Sequence, residues 1–198
     1  AIYLVALKAQ TGQFLWRQQL VSLESGIRVN PFRRLQSTSP SYDSGVLVCP
    51  TGVGVVVGID LSKQAFAWAY RYPSRKSGNH QEPRFRMDES GEDFLDASQG
   101  NHWSDNTPII VGQHVLLTPP ASDFLHCLDL RTGILRWQRP RNDYRRVACV
   151  EEEEGVVSPD EAGYQRGRIL LIGDTKLTLL GLNDGAPVWK QGTLDLPH

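Results

Sequence analysis

The segment Cys127-Leu-Asp-Leu-Arg-Thr-Gly-Ile-Leu-Arg-Trp137 decides the fold class of this chain. Apolar residues alternate along its first part, a Thr-Gly pair follows, and a second stretch ends in tryptophan. Glycine tolerates the positive φ of a tight turn, and Thr or Asp can hydrogen-bond the neighbouring backbone. The pattern is typical of a β-hairpin whose tryptophan packs against a neighbouring sheet.

The same pattern occurs four times along the chain. Residues 6–16 align with this segment without gaps, and residues 179–189 keep the turn glycine and the tryptophan. Residues 58–68 keep the aspartate and the tryptophan but carry Gln64 at the glycine position. We assign a structural docking motif to twelve residues of these hairpins: Thr11, Gly12, Trp16, Asp60, Trp68, Asp129, Thr132, Gly133, Trp137, Asp184, Gly185 and Trp189.

Further strand signals precede three of the hairpins, so each complete unit has four strands. The repeat tryptophans are 52, 69 and 52 residues apart. Units of about this length with four short strands predict an all-β fold, a β-propeller of four-stranded antiparallel blades. We predict one domain over 1–198, which contains a half blade at 1–20, blades at 38–72, 106–140 and 145–193, an insertion at 73–104 and an acidic loop at 151–167.

The Leu-Asp-x-x-Thr-Gly-x-x-x-Trp pattern at 128–137 resembles the repeat of the quinoprotein-like, pyrroloquinoline-quinone (PQQ) type propeller family. This family includes quinoprotein dehydrogenases and the assembly lipoprotein of the BAM complex. The resemblance implies a ring of seven or eight blades, of which this chain has about three and a half. We therefore expect a protein partner, or the remaining blades of the same propeller, to cover the unpaired blade edge. It also implies repeat tryptophans that lock adjacent blades without touching a ligand, and a periplasmic or cell-envelope location.

Composition excludes several kinds of partner. Lys and Arg total 21 against 22 for Asp and Glu, so no overall charge attracts nucleic acid. No apolar run is long enough for a transmembrane segment. The three cysteines, Cys49, Cys127 and Cys149, form no metal-binding or haem-attachment motif. They suit buried packing positions, and one disulfide with a free thiol is the alternative.

Three functions remain open on the sequence. We favour a non-catalytic scaffold or interaction module in the cell envelope, with no catalytic residues, no metal and no cofactor. The alternative is part of a PQQ-dependent dehydrogenase that oxidises alcohols or sugars, with calcium beside the quinone. The adjacent cysteines common in those enzymes are absent here. The third is carbohydrate or small-ligand binding, for which Trp103 and Tyr144 are candidate aromatics. The insertion at 73–104 and the loop at 151–167 are interpreted as solvated loops. The alternative is a metal or partner site for the insertion and a partner contact for the acidic loop.

Overall fold

The computed structural model describes residues 1–22, 38–73, 103–150 and 167–188, together with the backbone of one strand at 194–195. These residues form strands and turns. The strands in chain order are β1 (Ile2–Leu7), β2 (Phe14–Val21), β3 (Ser41–Asp43), β4 (Val46–Pro50), β5 (Val55–Asp60), β6 (Ala65–Arg71), β7 (Ile109–Val111), β8 (His114–Leu117), β9 (Phe124–Asp129), β10 (Leu135–Pro140), β11 (Tyr144–Val150), β12 (Arg168–Gly173), β13 (Lys176–Gly181) and β14 (Leu194–Asp195). None of the described segments is a helix that could cross a membrane.

The described strands form one two-stranded sheet and three four-stranded sheets. Strands β1 and β2 make the first, and the others have the orders β3-β4-β5-β6, β7-β8-β9-β10 and β11-β12-β13-β14. Sequential neighbours pair antiparallel, as in β4 with β5 and β12 with β13. Each four-stranded sheet is therefore a simple meander, which agrees with the predicted content of one half unit and three complete units.

The predicted unit boundaries differ slightly from the strand ends. The first hairpin extends to Val21, and the last sheet begins at Tyr144. Most of the insertion at 73–104 and of the acidic loop at 151–167 lies outside the described residues, as does Trp189.

The chain separates into two compact units, each with its own contacts. Of the described residues, those within Ala1–Tyr72, Asn106–Leu117 and His126–Trp137 form the first unit, and the others form the second.

Among the described residues of the first unit, two apolar clusters lie between sheets. One cluster packs side chains of β4, β5 and β6 against β8 and β9; its fully buried members include Val48, Val115 and Leu128. The other lies on the opposite face of the β3-β4-β5-β6 sheet, where Ile59 and Val57 meet Leu4 and Leu20 of the first hairpin. The sheet between the clusters is thus covered on both faces.

Candidate functional site at the Trp68 junction

Trp68 links its own sheet to the next hairpin of the first unit. It lies near the middle of β6, with only 7% of its surface exposed. Its indole Nε1 donates a hydrogen bond of 2.8 Å to the backbone carbonyl of Leu130, 62 residues away. Leu130 is itself fully buried, and its backbone N–H bonds to the carbonyl of Gln113. A buried indole requires such an acceptor because its N–H loses water on burial.

Two glycines make room for the indole. Gly58 of β5 pairs directly with Trp68, and a Cβ at that position would overlap the ring. Gly133, in the turn before β10, has φ +68°, and a Cβ there would lie 2.5 Å from Trp68 Cδ2. The indole is therefore held between the backbones of two hairpins, and Gly133 is required both for its φ and for its lack of a side chain.

A β-bulge orients the tryptophan. In the β5-β6 pair, Ile59 lies opposite Phe66 and Gly58 lies opposite Trp68, so Ala67 is an extra residue on β6. The β1-β2 pair has the same irregularity, with Leu7 opposite Phe14 and Ala6 opposite Trp16. In each pair, the phenylalanine and the tryptophan lie opposite consecutive residues of the partner strand, and consecutive residues of a strand face opposite sides of the sheet. Each bulge therefore places the tryptophan on the face opposite the preceding phenylalanine.

The turn after β9 is built around the Asp129 carboxylate. Its Oδ1 accepts hydrogen bonds from the Arg131 and Thr132 backbone N–H groups, at 3.1 and 3.0 Å, and from the Thr132 hydroxyl at 2.9 Å. Its Oδ2 lies 2.5 Å from an Arg136 guanidinium nitrogen. Burial raises the pKa of Asp129, but the bonds from Arg136 and Thr132 outweigh it and lower this pKa to about 2.

Asp60 holds the equivalent turn after β5. Its Oδ1 accepts bonds from the Ser62 N–H and hydroxyl and from the Lys63 N–H, and Oδ2 lies 3.0 Å from Lys63 Nζ. The bonds from Ser62 and Lys63 hold the pKa of Asp60 well below its usual range. Gln64, at the glycine position, has φ +52°. The left-handed backbone is thus retained with a residue that it strains.

Three turns share a backbone pattern that does not depend on the aspartate. The N–H of Lys8 donates to the carbonyl of residue 13, and the N–H of Gly12 donates back to Lys8. Asp129 makes the same two bonds in its turn, and so does Gly181, whose carbonyl accepts the second bond from the Gly185 N–H. All four bonds are 2.8 to 2.9 Å long. Main-chain hydrogen bonds therefore hold each of these turns, and the side-chain hydrogen bonds are additional.

The last turn carries its carboxylate in another place. Asp184 accepts a bond of 2.8 Å from the Ala186 N–H. A Cβ at Gly181, the position equivalent to Asp129, would lie 2.9 Å from the Asp184 carboxylate. In this turn, glycine takes the position of Asp129, and the carboxylate comes instead from Asp184, three residues later in the chain.

The remaining motif residues are less buried. Trp16 and Trp137 are half-buried, and Thr11 accepts a bond of 3.3 Å from the N–H of Gln13. For Trp16, Trp137 and Trp189, the locking role stays a prediction.

Sequence reasoning missed a histidine in the same core. His126 of β9 is fully buried, and its Nδ1 lies 3.1 Å from the Tyr70 hydroxyl. The Tyr70 ring stands edge-on to it at 5.7 Å, and the Tyr72 ring lies at 6.2 Å. Burial lowers the pKa of His126 to about 4, so the imidazole is neutral at pH 7. Its place among the apolar residues of Phe124–Leu128 was the available signal.

An open cleft of about 510 Å³ lies within the second unit. Its charges are matched internally: Lys176 Nζ lies 3.0 Å from Asp143, and Arg141 lies 3.7 Å from Asp123. The remaining lining residues are Phe124, Pro140 and Asn142. The cleft therefore contains two positive and two negative side chains, which form two ion pairs.

The two aromatics considered for ligand binding are both buried. Trp103 donates a bond of 3.4 Å from Nε1 to the Phe124 carbonyl, and Tyr144 bonds the Thr178 hydroxyl. Cys49 and Cys127 are buried as well, and burial raises the pKa of the Cys49 thiol to about 11. Within the described ranges, no group of three His, Cys, Asp or Glu side chains could hold a metal ion.

Comparison with known proteins identifies a family. The family described as outer membrane protein assembly factor BamB matches residues 3–197. A comparison with curated proteins gives no match.

Three solved structures are similar to the chain. BamB from Moraxella catarrhalis is 19% identical over 80% of this chain and 36% of its own, with a TM-score of 0.46. Sqt1 from Saccharomyces cerevisiae is 10% identical, covers 99% of this chain and 40% of its own, and has a TM-score of 0.52. Quinohemoprotein alcohol dehydrogenase from Comamonas testosteroni is 15% identical, covers 99% and 33%, and has a TM-score of 0.52.

These likenesses bear on fold alone. The chain spans between 33% and 40% of the length of these three proteins. Together with the meandering four-stranded sheets, the likenesses to Sqt1 and to the quinohemoprotein alcohol dehydrogenase, both with a TM-score of 0.52, confirm the predicted fold class, an incomplete set of β-propeller blades.

Proposed function

Because this chain belongs to the family of the outer membrane protein assembly factor BamB, we propose that it is a non-catalytic β-propeller scaffold that serves outer membrane protein assembly in the cell envelope. The family match over residues 3–197 carries this proposal. It extends to a protein partner, to a periplasmic or membrane-anchored location, and to action without a bound quinone.

The use of the repeat residues supports a scaffold. Asp60 and Asp129 are engaged in their own turns, and Trp68 is buried between two sheets. These residues build the fold and leave no reactive group exposed at the junction. Rigid sheets held in this way suit the display of surface and loops to other proteins.

A quinone site is not supplied by the described residues. Such a site requires a calcium ion beside the quinone, and the described chain has no group of three His, Cys, Asp or Glu side chains to hold one. The sequence also lacks two adjacent cysteines. These two observations support the proposal that the protein acts without bound PQQ.

The experiment is a deletion of the full-length gene in its host, with quantitative mass spectrometry of the outer membrane. We expect lower levels of β-barrel outer membrane proteins, restored by a plasmid copy and unchanged by the empty plasmid. Unchanged levels of these proteins in the deletion strain would refute the proposal.

A second measurement addresses the enzymatic alternative. The purified full-length protein is titrated with PQQ, with and without calcium, while tryptophan fluorescence and dye-linked oxidation of an alcohol panel are followed. We expect neither saturable binding nor turnover. Calcium-dependent binding with turnover would make the protein a dehydrogenase.

A further inference from the structure

The open cleft of the second unit is lined by one connection between strands and by residues at the starts of two strands. The connection is residues 140–143, between β10 and β11, whereas Asp123 precedes β9, Phe124 begins it and Lys176 begins β13. The Arg141 N–H donates a hydrogen bond of 2.7 Å to the Asp123 carbonyl. Main-chain bonding therefore fixes the connection against one wall of the cleft.

The charges that line this cleft are arranged by depth. The Arg141 side chain is only 3% exposed and that of Lys176 is 24% exposed, whereas Asp123 and Asp143 are 50% and 73% exposed. In each ion pair, the cation is thus the more buried partner. The lining therefore presents positive charge in its interior and carboxylates at its rim.

Both ion pairs leave their cations able to bind a ligand carboxylate. The 3.7 Å between Arg141 and Asp123 is longer than the roughly 2.7 to 2.9 Å of a charge-assisted hydrogen bond. Lys176 lies 3.0 Å from Asp143, but a pair with so exposed a carboxylate contributes little to stability and can exchange its partner. Arg141 itself is held in place, since its Nη1 also donates to the Tyr144 carbonyl at 3.4 Å. A ligand carboxylate can therefore replace the aspartates without moving Arg141.

Apolar surface and volume complete the site. Phe124 and Pro140 contribute apolar atoms to the lining, and the Asn142 amide contributes neutral donors and an acceptor. The volume of about 510 Å³ lies within the range of about 300 to 1,000 Å³ that is typical of small-molecule sites. The cleft therefore suits a small ligand that has charged groups and an apolar side.

We propose that this cleft binds a small zwitterion, a free amino acid or a short peptide with an apolar side chain. Its carboxylate binds Arg141 and Lys176 in the interior, and its ammonium group binds Asp123 and Asp143 at the rim. The apolar side chain contacts Phe124. A ligand with only negative charge would meet the rim carboxylates, and a ligand with only positive charge would meet the buried guanidinium. A zwitterion satisfies both layers of charge.

The proposal goes beyond the scaffold role and is tested on the purified full-length protein by isothermal titration calorimetry. The probes are phenylalanine and the dipeptide alanyl-phenylalanine, which both carry the two charges and an aromatic ring. We expect saturable binding, and the tighter probe shows whether the cleft takes a free amino acid or a peptide. N-acetylphenylalanine, which lacks the ammonium group, and phenylalaninamide, which lacks the carboxylate, should each bind at least tenfold more weakly than phenylalanine.

Substitutions in the cleft assign each ligand charge to a residue. Lys176→Gln should weaken the binding of phenylalanine at least fivefold but not that of phenylalaninamide, which has no carboxylate. Asp143→Asn should weaken the binding of phenylalanine at least fivefold but not that of N-acetylphenylalanine, which has no ammonium group. Unfolding of a variant would weaken the binding of all probes alike, so this pattern separates lost contacts from lost structure.

The neighbouring ion pair supplies a matched control. Arg145 and Asp174 lie 2.7 Å apart and are both partly exposed, and neither is among the described residues that line the cleft. Arg145→Gln and Asp174→Asn should therefore leave the affinity for phenylalanine unchanged.

Three results would overturn the proposal. They are the absence of saturable binding for both zwitterionic probes, binding of N-acetylphenylalanine or phenylalaninamide that is as tight as that of phenylalanine, and an unchanged affinity for phenylalanine in both Lys176→Gln and Asp143→Asn. Because the deletion phenotype is measured in cells without an added ligand, the proposed function and this inference can fail separately.

Discussion

Replacement of Gly133 by alanine tests whether the Trp68 junction stabilises the fold beyond the turn itself. Gly12 is the matched control, since its φ of +70° is close to the +68° of Gly133, but a Cβ at Gly12 meets nothing within 4 Å. Alanine in the left-handed region costs about 1 to 2 kcal/mol, partly offset by the lower entropy of the unfolded chain. We expect Gly12→Ala to lower the free energy of unfolding by about 1 kcal/mol.

At Gly133 the same backbone cost is joined by a clash. The new Cβ would lie 2.5 to 2.7 Å from three atoms of the Trp68 ring, well inside the roughly 3.5 to 4 Å of ordinary carbon contacts. The indole must withdraw, which strains the core by about 1 to 3 kcal/mol and weakens a hydrogen bond worth about 1 kcal/mol. Gly133→Ala should therefore cost about 3 to 4 kcal/mol.

Urea unfolding of the full-length protein, followed by tryptophan fluorescence and circular dichroism, measures both variants. In a Trp68→Leu background the cost of Gly133→Ala should fall toward that of Gly12→Ala, because the clashing ring is gone. If Gly133→Ala costs no more than Gly12→Ala in the unmodified protein, the reasoning about the junction is wrong.

Three further predictions concern single residues. Gln64→Gly should raise the free energy of unfolding by about 1 kcal/mol in urea titration, because the φ of +52° strains glutamine, whereas Ala65→Gly in the adjacent strand should lower it. Protonation of His126 favours the unfolded state below the ordinary histidine pKa of about 6.5, because burial lowers the pKa in the folded state to about 4. The free energy of unfolding should therefore fall by about 2 kcal/mol between pH 7.5 and 5. His126→Gln should remove most of this loss, as measured by urea titrations at each pH. Asp129→Asn should lower the thermal midpoint by several degrees at pH 7, because it removes the Arg136 ion pair and weakens the turn. Scanning calorimetry should show this difference shrinking as the pH approaches 2, where the Asp129 carboxylate itself becomes protonated.

Local chemistry made the hairpins predictable. Alternating apolar residues and a turn with Asp, Thr and Gly are short-range signals, and the structure has hairpins at the three copies that it describes in full, whereas the last copy has an isolated antiparallel bridge between Leu180 and Pro187. The weakest copy is informative, since Gln64 takes the same left-handed backbone that glycine takes elsewhere. The turn therefore depends on the whole segment, in which Asp60 accepts the same kinds of hydrogen bond that Asp129 accepts in its own turn.

The contacts between hairpins could not be predicted in the same way. The acceptor for Trp68 is a backbone carbonyl 62 residues away, and a carbonyl has no signature in the sequence. The role of Gly58 depends on register across the bulge, and that of His126 depends on the approach of Tyr70 from another sheet. Tertiary packing decides each of these, and local pattern does not report it.

Because the acceptor at the junction is a backbone carbonyl, substitutions in the two hairpins affect the hydrogen bond unequally. No side-chain substitution of Leu130 can delete the carbonyl that receives the indole N–H, whereas nearly every substitution of Trp68 deletes the donor. For this hydrogen bond, the receiving hairpin has to keep only its backbone path and Gly133, although Leu128 and Leu130 are also constrained as buried core residues. The donating hairpin has to keep the indole itself, so the bond restricts the sequence of one hairpin far more than that of the other.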